Sequence, residues 1–102
     1  MTSPQVTLPM ETALVVSVST AHVTSEDGKN LQNSGLWPIM AVYERGALLY
    51  VGGDEKQFVT EELRPWSQPM QRLILLAQQA GAKYLIIDGD GPEYNWLEKF
   101  DW

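Results

Sequence analysis

Apolar residues occur in separate bursts along the chain, and the spacing inside each burst predicts an element. Ala13 to Val16 is continuously apolar within a β-branched stretch, Thr12 to Ser19. That pattern predicts a first strand covered on both faces. Thr24 then offers a helix cap, with Asp27 at the reciprocal position of a capping box. The helix it starts holds Gly28 and only one large apolar residue, Leu31, so it should be short and weakly packed. Asn33-Ser-Gly35 ends it. A second strand is expected over about Ile39–Glu44 and a third over about Ala47–Val51, joined at Arg45-Gly46 and closed by Gly52-Gly53. Met40 alternates with Val42, and Leu48 with Tyr50, as in a hairpin with one face on the core.

Asp54-Glu-Lys56 reads as a solvated loop, and Thr60 to Leu63 as one helical turn broken before Pro65. The main helix starts at Ser67, a good cap, with Pro69 tolerated in the first turn. Met70, Leu73, Ile74 and Ala77 repeat at the spacing of a helix lying on a sheet. Gly81 is its natural stop. Lys83–Asp88 is the next strand, and Leu97, Phe100 and Trp102 suggest a short C-terminal edge strand. The fold class that follows is α+β, a two-layer sandwich in β-α-β-β-α-β order with a short C-terminal strand. A ferredoxin-like variant is its simplest form. The first strand and the Tyr84 strand should be parallel neighbours, with right-handed crossovers placing the helices on one face.

The chain has 102 residues, enough for a single domain. Residues 1–10 carry two prolines and little pattern and read as a flexible arm, leaving 11–102 as the domain. Absence of cysteine excludes disulfides and thiolate metal sites. No apolar run approaches the roughly 18 residues of a membrane span. Met1 to Met10 contains no basic residue and so does not read as a signal peptide. These features place the protein in the cytoplasm. A net charge of −6, with its seven basic residues scattered singly, argues against direct nucleic-acid binding. Plain solubility is the default meaning of that charge, with binding to a basic surface or imitation of DNA as further readings.

His22, the only histidine, lies in a run of hydroxyl residues that includes Ser17, Ser19, Thr20 and Thr24. One reading makes it a general base beside a hydroxyl nucleophile, oriented by Asp88 or Asp90. The competing reading has it shape the loop by bonding to a backbone carbonyl or a carboxylate. With no Gly-x-Ser-x-Gly elbow and no second histidine, the second is favoured. Asp88-Gly-Asp-Gly-Pro-Glu93 is similar to the nucleophile loop of haloacid-dehalogenase-type phosphatases, although that family's motif opens a large domain and here the chain ends soon after. It also resembles part of a calcium loop without the full pattern. Oxygen-only ligands would suit magnesium or calcium better than zinc, but a turn explains both glycines. No phosphate-cradling loop is present, and no cofactor is implied. Trp96 and Trp102 lie in an acidic tail. There they either mark an interface or fold back to plug the sheet edge.

Ser19-Thr-Ala-His-Val-Thr24, Gly81-Ala-Lys-Tyr84, Asp88-x-Asp-Gly-Pro92 and Phe100-Asp-Trp102 occur in that order. Together, across residues 13–102, they resemble a family of small uncharacterised bacterial proteins, a domain of unknown function encoded on plasmids, integrative elements and prophages. The resemblance implies a mobile-element context, a small accessory or anti-defence role, and one cluster of His22, Asp88, Asp90 and the Asp101-Trp102 end. The leading expectation is a non-enzymatic protein acting by protein–protein contact, as a homodimer through a sheet edge or the aromatic tail. Ser19, Thr20, Trp96, Asp101 and Trp102 are its candidate ligand or interface residues. The alternative is a small enzyme, or a binder of a small ligand or metal, that uses His22 with Asp88 and Asp90.

Overall fold

The computed structural model describes residues 12–52 and 63–102. The expected N-terminal arm, the loop at 54–56 and all but Leu63 of the expected turn at 60–63 lie outside the described residues. The elements are β1 (Val15–Ser19), a 3-10 turn (Thr20–His22), α1 (Ser25–Asn30), β2 (Ile39–Tyr43), β3 (Gly46–Tyr50), α2 (Gln68–Gln79) and β4 (Tyr84–Asp88). This is the expected α+β order. The four strands form one mixed sheet ordered β1-β4-β3-β2. As anticipated, β1 and β4 are parallel neighbours, running from Val15 beside Tyr84 to Ser19 beside Asp88. β3 is antiparallel to both β4 and β2.

Local chemistry explains the elements. Thr24 and Asp27 form the complete capping box of α1. Ser67 caps α2 by accepting from the Met70 amide. Gly81, with φ of 85°, follows its end. The stripe Met70, Leu73, Ile74 and Ala77 is buried against Ala47 and Leu49 of β3 and Leu85 and Ile87 of β4. Strand alternation puts those four sheet residues on one face. At an ordinary ~1.5–3 kcal/mol per buried aliphatic side chain, this layer is the main source of stability.

The two helix starts meet at one carboxylate. Asp27 is completely buried. It accepts from the Thr24 amide and hydroxyl at 3.1 and 2.9 Å, and from the Ser67 amide and hydroxyl at 2.9 and 2.5 Å. These donors satisfy a group that would otherwise be costly to bury. They also tie α1 to the start of α2, 40 residues away in sequence.

Three expectations are corrected. β1 is an edge strand, not one covered on both faces: Leu14 is 53% and Val15 43% exposed. Continuous apolar character cannot separate the two cases, because only Val16 and Val18 of this stretch share the α2 face. The ferredoxin-like variant, whose first strand is internal, is not the sheet order, since here β4 lies between β1 and β3. The C-terminal residues form no strand, and residues 92–102 run as an irregular segment. Isolated backbone and side-chain bonds to residues 17–23 pin that segment instead of a regular ladder.

Candidate functional site

Beyond β4 the chain turns through Asp88-Gly-Asp-Gly-Pro92 and then lies back along residues 17–23. Gly91 makes the turn fit, since a side-chain carbon there would sit 2.5 Å from the Val18 carbonyl oxygen. The Ser19 amide then donates to the Pro92 carbonyl at 2.8 Å, and the Tyr94 hydroxyl donates to the Ser17 carbonyl at 3.0 Å. Both contacts occupy polar backbone of the edge strand, which would otherwise invite pairing with another chain. Further along, the Phe100 amide donates to the Ala21 carbonyl at 2.8 Å, and Trp102 Nε1 donates to the Val23 carbonyl at 2.9 Å.

His22 is the centre of this clasp. It is 2% exposed. Its Nε2 lies 2.9 Å from the Tyr94 amide and its Nδ1 2.8 Å from the Glu98 carbonyl oxygen. An amide can only donate and a carbonyl can only accept. The ring is therefore neutral, with its proton on Nδ1 and the Nε2 lone pair facing Tyr94. The Tyr94 ring stacks on it at 6.1 Å. A cavity of about 20 Å³, room for about one water, lies against the ring. His22 thus ties β1 to the tail beyond the Asp88 turn, and not to the turn itself.

Asp88 and Asp90 have separate partners. Asp88 accepts from the Tyr43 hydroxyl and from the Asp90 amide, both at 2.7 Å. The Asp90 amide, then the Tyr43 hydroxyl and the Arg45 guanidinium, hold the Asp88 carboxyl below its usual range. Burial first, and then the Asp88 bond and charge, push the Tyr43 hydroxyl up to about 12. Asp90 pairs with Arg45 at 2.7 Å on the surface. Neither carboxylate is among the bonded partners of His22, so the expected cluster forms as two neighbouring networks. Among the described residues, no group of three or more His, Cys, Asp or Glu side chains could hold a metal ion.

Two cavities flank the clasp. A polar cleft of about 260 Å³ lies past the carboxyl ends of β1 and β4, lined by Ser19, Thr20, Glu93, Phe100, Asp101 and Trp102. Four of the five expected ligand or interface residues meet there. The fifth, Trp96, is 70% exposed. It borders an apolar groove of about 350 Å³ between α2, β1 and the tail, with Val16, Val18, Leu73, Ala77 and Tyr94 in its walls. Trp102 is 59% exposed although its indole nitrogen is bonded. Along the edge strand it is Tyr94 that lies against the backbone, whereas Trp96 faces outward.

Sequence reasoning did not place Tyr94, Leu97 or Gly28 at the site. Gly28 carried a signal, a glycine inside a very short helix. A side-chain carbon at Gly28 would collide with the Trp102 ring, so the glycine is the seat of the terminal tryptophan.

The fold and clasp define a small α+β domain whose C-terminal segment is fastened to its edge strand. The model of a family of unknown function, the DUF5983 C-terminal domain, matches residues 15–102. The chain belongs to that family. No curated protein and no solved structure matches it.

Proposed function

We propose that this domain is a non-enzymatic binding module that contacts a protein partner through the groove between α2, β1 and the tail. The observation that carries this reading is Trp96, 70% exposed at the rim of an apolar groove of about 350 Å³. Exposed tryptophans beside an apolar pocket are typical anchors of protein contacts. Charge narrows the partner. Residues 88–102 hold five carboxylate side chains against one lysine, in a chain of net charge −6. A partner with an apolar anchor set among Lys and Arg fits that surface, and its association should weaken with salt. The resemblance to proteins of plasmids and prophages supports a small accessory or anti-defence role for such a module.

The polar cleft favours a second reading, a small-ligand site built on Ser19, Thr20 and Asp101. Clefts past the carboxyl ends of parallel strands are common ligand sites. Chemistry at His22 has less support, because both ring nitrogens are engaged by backbone. A photo-crosslinking residue at Ala80, which lines the groove and leaves Trp96 in place, separates the readings when compared with one at the exposed Arg64, outside the linings of both cavities. The binding module predicts one discrete crosslinked protein from position 80 in the native host, lost on competition with the unlabelled chain and retained on competition with Trp96→Ala. Crosslinking equal at both positions, or absent, contradicts it.

A further inference from the structure

We infer that the polar cleft past the carboxyl ends of β1 and β4 binds a neutral sugar, whose hydroxyls meet Ser19, Glu93 and Asp101 and whose ring lies against Phe100 and Trp102. This names the ligand class for the small-ligand reading of the cleft and rests on that reading. Ser19, in the cleft lining, is 3% exposed. Its oxygen accepts from the Ala21 amide at 2.9 Å, and no described group accepts its hydroxyl proton. A buried donor in that state calls for an acceptor in whatever fills the cleft.

The acidic side chains make the opposite demand. Among the described residues, no hydrogen bond or ion pair engages the Asp101 carboxylate. Glu93 shares only Oε1, at 3.6 Å, with Lys99. Both carboxylates accept and neither donates. An ammonium or guanidinium group would satisfy them and leave Ser19 without an acceptor. An anion would serve Ser19 but face two carboxylates, and the cations of neighbouring residues are engaged, Lys99 with Glu93 and Arg45 with Asp90 at 2.7 Å. A sugar hydroxyl accepts and donates at once, so an uncharged sugar meets both demands.

Aromatic walls and size agree. The Phe100 amide is held by the Ala21 carbonyl and the Trp102 indole by the Val23 carbonyl, with the Trp102 ring seated on Gly28. Trp102 is still 59% exposed, so a fixed aromatic surface stands ready in the wall. The C–H groups of a sugar are weakly positive and suit the negative face of such a ring. At about 260 Å³ the cleft falls just below the ~300–1,000 Å³ of sites for drug-sized ligands, which limits it to one sugar ring.

Amide and indole N–H resonances of the full chain, followed by NMR during titration to about 50 mM, test this. The probes are glucose, galactose, mannose and ribose, with uridine to distinguish a free sugar from a nucleoside. The expected result is a saturable shift at Ser19 to Ala21 and Phe100 to Trp102 with at least one probe, weakened at least tenfold by Asp101→Ala. The same spectra report whether each variant folds, and Glu93→Gln replaces Asp101→Ala if that variant does not. No such shift overturns the inference, as does a shift that the folded variant leaves unchanged, or a sugar phosphate that binds tighter than its parent sugar. If choline or methylguanidinium shifts these resonances and no sugar does, the sugar falls and the small-ligand reading stands. If nothing shifts them, both fall. The groove beside Trp96 shares no lining residue with the cleft and is untouched by either outcome.

Discussion

Replacing His22 with alanine should release the C-terminal segment, and its size can be worked from the two bonds the ring makes. The substitution leaves the Tyr94 amide and the Glu98 carbonyl without the partners they have at 2.9 and 2.8 Å. A buried polar group left unpaired costs about 1–3 kcal/mol. Two such groups, with the loss of a buried ring, give about 3–5 kcal/mol if the tail stays in place. If the tail detaches, water satisfies both groups, and the loss falls to the docking free energy of the segment. Urea denaturation followed by circular dichroism gives the global change, and hydrogen exchange at the Tyr94 and Phe100 amides reports whether the tail has come off. The expected outcome is a loss of about 2–4 kcal/mol with both amides deprotected. His22→Gln keeps one donor and one acceptor and should recover part of the loss. A His22→Ala protein within about 0.5 kcal/mol of the parent, with both amides still protected, would refute the clasp.

Asp27→Ala strips four donors of their acceptor and should destabilise the domain by about 3–5 kcal/mol in the same denaturation assay, as capping and buried hydrogen bonds are lost together. Gly28→Ala should displace Trp102, seen as a shift in tryptophan emission. In a Trp102→Ala background the same change should instead stabilise by about 0.5–1 kcal/mol, because alanine is the better helix former once the ring is gone. The Tyr43–Asp88 pair sets the pH response. Tyr43 is raised on folding, so its contribution is complete below about pH 10 and is lost as pH climbs towards about 12. Asp88 is lowered, so its contribution is present above about pH 4 and is lost as pH falls through the folded value. A near-ultraviolet titration should find Tyr43 ionising late, and Asp88→Asn should return it towards the ordinary range.

Where neighbours in sequence decide the structure, the chain could be read directly. The stripe from Met70 to Ala77, the Ser67 cap, the Thr24–Asp27 box and the strand at Leu85–Ile87 all follow from spacings of two to four residues. The parallel pairing of β1 and β4 followed from their apolar character. The position of β1 at the edge did not, since an apolar run looks alike in a central strand and in an edge strand with one side packed. The tail was misread for a related reason. Leu97, Phe100 and Trp102 have an apolar spacing, but their placement depends on His22, Gly28 and Val23, more than 70 residues away. The candidate site was legible in part. Ser19, Thr20, Asp101 and Trp102 do converge, while His22, Asp88 and Asp90 each satisfy separate partners.

Protein contact through the groove turns on Trp96 as its outward anchor. The direct measurement is crosslinking from position 80 in the groove wall, with Trp96 in place, against the Arg64 control, in the native host at low and high salt. One discrete partner, captured only from position 80 and less efficiently at high salt, is the predicted result. Equal capture from both positions, or none from either, would contradict it.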